Sequence, residues 1–371
     1  MLSRRKFLGA MTIATLAAST PSSAFAKPKR MLANGIDISW LPDVEKYKKN
    51  FFTRARRPMD AIKLMKYQGI KVGRIRVWVD PIDENGDVDR AIKLAKRLKK
   101  ADMQICIDFH FSDTWADPGH QTTPAGWSTT SIDDLEDSVY AYTKRTLRLF
   151  KAAGVTPHWV QLGNEIANGM MWPLGWVGGD DAIQWQNLSR LHQAATNALR
   201  EVAPKAKSIL HLECGGEYER VKWWLEQADQ YNITEYDVIG ISFYTQWQGD
   251  LTNLQSVLNL IAKERKQKVL VAETAYPWID QTFGSDVIDI NHPPLAGCPY
   301  TRDGQANYVK KVQNMLLALP NNRGLGVWWW EGLATKVEVD STIVWNGGMA
   351  NSALVNTDRT ALPALIQLGL K

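Results

Sequence analysis

Two glutamates stand where packing alone does not explain them. Glu165 closes the apolar run WVQLGNE (159–165), and Glu273 lies inside KVLVAETA (268–275). A strand that only packs would finish on turn residues. Two carboxylates facing one another suit cleavage of a glycosidic bond. One donates a proton to the leaving oxygen, and the other attacks the anomeric carbon or activates water. A separation of about 5–5.5 Å implies retention of configuration, and a wider gap implies inversion. The two must titrate apart. Burial and the partner's charge raise the acid, while hydrogen bonds and a nearby cation hold the other ionised. The alternative for both is a structural carboxylate paired with an arginine.

Glu273 follows Glu165 by 108 residues, so the fold must bring them together. Eight apolar, β-rich runs are available: GIDISW (35–40), VGRIRVWV (72–79), QICIDFH (104–110), HWVQLGNE (158–165), SILHLEC (208–214), DVIGISFY (237–244), KVLVAETA (268–275) and GLGVWWWE (324–331). They are continuous rather than alternating, the pattern of parallel strands buried on both faces. Amphipathic helical stretches lie between them, among them 88–102, 135–154, 191–204 and 304–319, and Pro58, Gly69, Gly154 and Pro204 punctuate the ends. No linker or short repeat divides the chain. Eight strand–helix alternations predict an α/β fold, a single-domain (β/α)8 TIM barrel. A doubly wound open sheet is the alternative, but it would want a Gly-rich phosphate turn after an early strand, and none is present.

In such a barrel the active site lies at the C-terminal ends of the strands. The polar residues gather there. Arg74 and Arg76 share one face of the second strand by its two-residue period. Asp108 and His110 end the third strand, Asn164-Glu165 the fourth and Tyr244 the sixth. His211 lies on the fifth, Glu273 on the seventh, and Trp330-Glu331 end the eighth. Arg74 is placed to hold a nucleophile ionised if it reaches one. Asn164 is placed to bond a sugar hydroxyl beside the reacting carbon, and Trp330 offers a ring face. His110 and His211 could equally be core histidines that orient the carboxylates. No HExxH or clustered His/Cys pattern suggests zinc.

The composition is that of a globular chain with an unusual number of indoles. Of 371 residues, 45% are hydrophobic, and 16 are Trp. Trp223, Trp224, Trp328 and Trp329 are expected in the core, and Trp115, Trp172 and Trp330 against sugar; Trp247 stays open. Of the net charge of +5, three units sit in residues 1–26, which leaves +2 on the rest. No basic block interleaved with aromatics follows, which argues against nucleic-acid binding. SRRKFLG (3–9), the short apolar run after it and Ala24-Phe25-Ala26 resemble a cleaved twin-arginine export signal; an ordinary secretory signal with a chance Arg pair is the alternative. The expected organisation is a signal over 1–26, too short for a membrane span, and a barrel over 27–371, periplasmic or secreted. Cys106, Cys214 and Cys298 form no CxxC pattern, and one disulfide among them stays open.

The motifs carry a family resemblance. SDTWADPGHQTTPAGW (112–127), RIRVWVDP (74–81), GNEIANGMMWPLG (163–175) and AETAYPW (272–278), in that order at barrel spacing, resemble the endo-β-1,4-galactanases of glycoside hydrolase family 53. The resemblance runs from about residue 35 to about 365. It implies a retaining hydrolase that cuts internal bonds of the β-1,4-galactan side chains of pectin. It implies Glu165 as acid/base and Glu273 as nucleophile, with Arg74, His110, Asn164, His211, Tyr244 and Trp330 in support. It also implies Asp113, Trp115 and Trp172 along the sugar cleft. Thr245 after Tyr244, WWWEGLA in place of a WEPAW-like run, and Glu213 in place of Asp depart from the family pattern. Some bacterial relatives bind calcium after strands seven and eight. Here Asp280, Asp286 and Asp289 do not form an EF-hand loop, so no metal is assigned. The mechanism needs no cofactor. The expected partner is the polysaccharide alone, bound by a monomer; another endo-glycanase of the same clan, or a galactan-binding protein without turnover, are the competing functions.

Overall fold

A computed structural model describes residues 32–179 and 181–370; the export segment expected over 1–26 lies outside the described residues. Eight parallel strands close into a barrel. They are β1 (Gly35–Asp37), β2 (Val72–Val77), β3 (Gln104–Phe109), β4 (Trp159–Leu162), β5 (Lys207–Leu212), β6 (Val238–Phe243), β7 (Lys268–Thr274) and β8 (Gly324–Trp329). Each falls inside one of the eight apolar runs. β1 closes the ring, pairing Gly35 with Val72 on one side and with Trp328 on the other. An outer helix follows each strand: α1 (Ala61–Tyr67), α2 (Val88–Lys100), α3 (Ile132–Ala152), α4 (Ala182–Val202), α5 (Tyr218–Gln230), α6 (Leu251–Glu264), α7 (Arg302–Ala318) and α8 (Pro363–Gly369). The open-sheet alternative is thereby excluded.

Local chemistry sets these boundaries. Asp60, Asp87, Ser131, Asp181, Asp250 and Thr301 each accept a backbone N–H of the first helical turn with the side chain, satisfying a donor the helix leaves unpaired. Leu94, Ala95 and Leu98 of α2 face the sheet, while its basic residues face out. Gly73 lets α2 approach closely, since a Cβ there would meet Leu98 Cδ1 at 2.5 Å.

The strands bury both faces in different ways. Outward side chains such as Ile75, Ile107, Val160 and Val271 pack under the helices. Inward ones form a separate plug of Val72, Cys106, Ile209, Val238, Leu270, Ala272 and Trp328. The barrel is therefore filled beneath its polar C-terminal mouth. All three cysteines are buried free thiols, so no disulfide joins them. Returns from helix to strand are short, as in 101–103 and 265–267, whereas the loops leaving β3, β4, β7 and β8 are long. The last two of these loops are tied together: Trp278 N–H donates to the Asn351 carbonyl at 2.8 Å, and Ala350 N–H to Asp286 at 2.9 Å. Among the described residues no helix is long and apolar enough to cross a membrane.

Closure between β8 and β1 depends on Gly326, where a Cβ would lie 2.5 Å from the Ala33 carbonyl oxygen. The neighbouring atom is backbone and cannot swing away. Gly326→Ala should destabilise the protein by about 1–3 kcal/mol, the usual cost of overpacking. A thermal melt should show the lower midpoint; an unchanged midpoint would mean the seam is looser than drawn.

Candidate active site

The polar mouth is built from one buried arginine outward. Arg74 points inward from β2 and is 1% exposed. Its Nη1 donates to Asp37 at 2.9 Å, and its Nη2 to Asp108 at 2.8 Å and Asn164 Oδ1 at 2.9 Å; Nη2 also pairs with Glu273 at 2.7 Å. Nε donates to Gln161 at 3.2 Å. Burial alone would lower the arginine's pKa, but Asp108, Glu273 and Asp37 outweigh it and raise it well above the ordinary value. Burial likewise pushes Asp108 up, yet Arg74 and His110 prevail and hold it below the carboxylate range.

Glu273 reaches Arg74 through an irregularity in β7. Along that strand Leu270 and Ala272 face the barrel interior, so strict alternation would send Glu273 outward under the helices. The pairing with β6 shifts instead: Ile241 sits opposite Val271, and Ser242 opposite Glu273. Ala272 is the extra residue of a bulge, and the bulge turns Glu273 inward, the re-aiming that bulges commonly perform beside active sites.

Glu165 arrives by a different device. After β4, Gly163 takes φ +97, where a Cβ would also meet Ile166 Cγ2 at 2.7 Å. Glu165 itself sits at φ 53, in the left-handed region. A non-glycine residue there costs about 1 kcal/mol or more and needs external support. Gln121 supplies it, donating Nε2–H to the carbonyls of Asn164 at 2.8 Å and Glu165 at 3.2 Å. This turn explains why the run ends Gly-Asn-Glu, with two polar side chains aimed into the mouth. The Asn164 amide is oriented by Nδ2–H donation to the Ala116 carbonyl at 2.7 Å.

The two glutamates lie in unlike surroundings. Glu165 is 8% exposed and Glu273 6%. Glu165 accepts the Ser242 hydroxyl at 2.5 Å. Ser242 in turn accepts from His211 Nε2 at 2.9 Å. His211 Nδ1 accepts Gln161 Nε2–H at 2.9 Å, and burial together with Arg74 pushes its pKa well down. His211 is thus a neutral orienting group beneath the glutamate. Burial, then the charges of Glu273 and Glu213, raise the Glu165 pKa well above the ordinary range; Ser242 and Arg74 oppose this weakly. Glu273 accepts the Tyr244 hydroxyl at 3.2 Å and holds the Arg74 contact. Burial raises it to about 7, with Arg74 pulling the other way. Arg74 is shared among three carboxylates and cannot hold Glu273 at its solution value. Among the described residues, Glu273 touches a cation and Glu165 does not.

A cavity of about 620 Å³ opens over this centre, lined by Arg74, His110, Trp115, Asn164, Glu165, Tyr244, Glu273 and Trp330 of the expected residues. His211 lies below its floor. Asp113 and Trp172 lie elsewhere. Asp113 accepts the backbone N–H groups of Asp80 at 3.0 Å and Ala125 at 2.8 Å, which shapes the loop after β3. Trp172 donates its indole N–H to the Asn168 carbonyl at 2.8 Å. Asp37, Gln161 and Ser242 were missed, although two-residue alternation puts Asp37 and Ser242 on inward positions. Trp40 and the exposed Trp247 also line the cavity. Trp223 is half-buried against the core, while Trp224, Trp328 and Trp329 are fully buried. Among the described residues no cluster of His, Cys, Asp or Glu is arranged to hold a metal.

The family model described as glycosyl hydrolase family 53 matches residues 33–368. An arabinogalactan endo-β-1,4-galactanase of Thermothelomyces thermophilus is 35% identical over 71% of this chain and 78% of its own length. The glycoside hydrolase family 53 catalytic domain of Ignisphaera aggregans superposes with a TM-score of 0.81 at 27% identity, covering 92% of this chain and 97% of that one. A fungal β-1,4-galactanase gives 0.78 at 28% identity, covering 92% and 100%.

The raised Glu165 pKa has a stability consequence. The folded state keeps this proton to higher pH than the unfolded chain does. Stability from this group is therefore full below the ordinary carboxylate pKa and is lost as pH rises through the folded value. Glu165→Gln should melt at the same temperature as the wild type near pH 4 and at a higher temperature near pH 8. A variant that melts lower at pH 8 would contradict the raised pKa.

Proposed function

The chain belongs to glycosyl hydrolase family 53, and from that premise we propose that it is a retaining endo-β-1,4-galactanase. It cuts internal β-1,4-galactosidic bonds in the galactan side chains of pectin, with Glu165 as acid/base and Glu273 as nucleophile. The observation that carries the assignment is the asymmetry of the pair. Glu273 has a guanidinium at 2.7 Å and a phenol donor, while Glu165 has a hydroxyl donor alone. The named relatives with galactanase activity support the substrate class.

In the first step a Glu273 oxygen bonds to the anomeric carbon as the bond to the leaving oxygen breaks. The Glu165 proton passes to that oxygen, and the shortened chain departs with a free hydroxyl. In the second step Glu165, now a carboxylate, takes a proton from water. As that proton leaves, the water oxygen bonds to the anomeric carbon and the bond to Glu273 breaks, which leaves Glu165 protonated as it began. Two inversions give net retention. Arg74 returns to its full contact with Glu273 when the ester breaks. Asn164 bonds the hydroxyl next to the reacting carbon, and Trp115 and Trp330 meet the CH-rich sugar faces. His110, His211 and Tyr244 orient the centre. Residues 1–26 act as an export signal for a barrel domain that begins at residue 27, and the enzyme works as a monomer.

Assay of the wild type on β-1,4-galactan should yield new reducing ends, with the β-anomer first in the NMR spectrum. Glu273→Ala should lose that activity. Glu165→Gln should fall by about 10²–10⁴-fold, the range of general acid catalysis. On an aryl galactobioside, whose leaving group needs no proton, Glu165→Gln should keep glycosylation and lose the basic limb of the pH profile. First appearance of the α-anomer would refute retention; intact galactan alongside cleaved mannan or cellulose would refute the substrate.

A further inference from the structure

Arg76 lies two residues beyond Arg74 on the same inward face of β2, yet it touches neither glutamate of the pair. Its side chain is 2% exposed, and Nη1 makes an ion pair with Glu331 at 2.7 Å. Nε and Nη2 are buried with no hydrogen-bond partner. Leaving donors of a buried cation unpaired is costly, so the placement calls for an explanation beyond stability. What surrounds them is aromatic. The guanidinium carbon stands 4.2 Å from the Trp115 ring centroid, 5.1 Å from Trp40 and 5.4 Å from Trp78. Desolvated cation–π contacts of this kind are among the stronger ones.

Glu331 serves the same rings from the other side. It follows Trp330 directly and sits at φ 44, a left-handed conformation that glutamate rarely adopts. Both its oxygens accept the Trp40 backbone N–H at 3.1 Å. Trp40, Trp115 and Trp330 come from three separate loops, and all three line the cavity. They meet edge-on or tilted, with centroids 5.5–6.2 Å apart. Loops alone do not fix large rings to the tolerance that sugar stacking needs. A planar fork held at one end and enclosed by rings does.

We infer that the Arg76–Glu331 pair is the positioning element of the sugar-binding wall: it sets Trp40, Trp115 and Trp330 in place before the glycan arrives, and so governs affinity for the chain rather than the chemistry. This rests on the cleft being a galactan site. Pre-organisation of this kind acts by removing the ordering cost of binding.

The test is a KM-against-kcat split on β-1,4-galactan with Arg76→Met, Arg76→Lys and Glu331→Gln, alongside the thermal midpoint and the pH profile of kcat. Arg76→Met should raise KM about tenfold, the scale of lost desolvated cation–π contacts. Its kcat should stay within about threefold, and both pH limbs should remain where they are. Arg76→Lys keeps a cation but loses the fork, so it should raise KM by less, and Glu331→Gln should raise KM as well. If Arg76→Met does not fold, Arg76→Lys and Glu331→Gln carry the test. An unchanged KM in the folded variants, or a fall in kcat without a rise in KM, overturns the inference. A wild type that does not turn over galactan sinks the functional assignment instead, so the two failures are distinct.

Discussion

One guanidinium shared by three carboxylates sets the character of the whole mouth. Arg74 is withdrawn from water and bonded to Asp37, Asp108 and Glu273 at once. A buried charge of this kind survives only when its donors are matched and its field is balanced. Three acids thus share one cation, and Glu273 lines the cavity together with Glu165. Burial pushes the Glu273 carboxyl up to about 7, the charges of Asp108 and Asp37 add to this, and the shared arginine pulls the other way. Glu165, which has no cation in contact among the described residues, is raised by burial and then by the charges of Glu273 and Glu213. Two glutamates of identical chemistry thereby sit in different surroundings, the condition for one to donate a proton while the other attacks.

The barrel supplies the positions, and two local departures from regularity supply the aim. Parallel pairing puts Arg74, Asp108 and Gln161 on inward positions of β2, β3 and β4. The apolar plug beneath them closes the bottom, so polar groups at the mouth see little water from below. Alternation would have turned Glu273 outward, and the Ala272 bulge reverses it. Glu165 is brought in by the strained turn after β4 that Gln121 braces from the loop after β3. Both glutamates therefore depend on residues that never reach the cavity.

Much of this was legible in the amino-acid order. Continuous β-branched runs between amphipathic stretches predicted eight parallel strands, and every one of them forms. The pair Arg74 and Arg76 followed from the two-residue period. Tertiary placement was harder to read. A bulge leaves no mark in KVLVAETA, so the inward direction of Glu273 followed from its chemistry and the family motif, not from alternation. Asp37 and Ser242 lie in short runs that read as ordinary strand, and their roles exist only through Arg74 and Glu165. Asp113 sits within a cleft-lining motif, yet its carboxylate is committed to two loop N–H groups. Trp40 lies just past a strand of three residues, where no periodicity could say which way its ring turns.

The most direct measurement of the central claim is covalent trapping. An activated 2-deoxy-2-fluoro β-galactobioside slows release of the ester more than its formation, so the enzyme should stop with one glycosyl unit attached. Peptide mass spectrometry should find that mass on Glu273 and nowhere else. A label on Glu165, on Glu331 or on no carboxylate at all would contradict the proposed division of roles between Glu165 and Glu273.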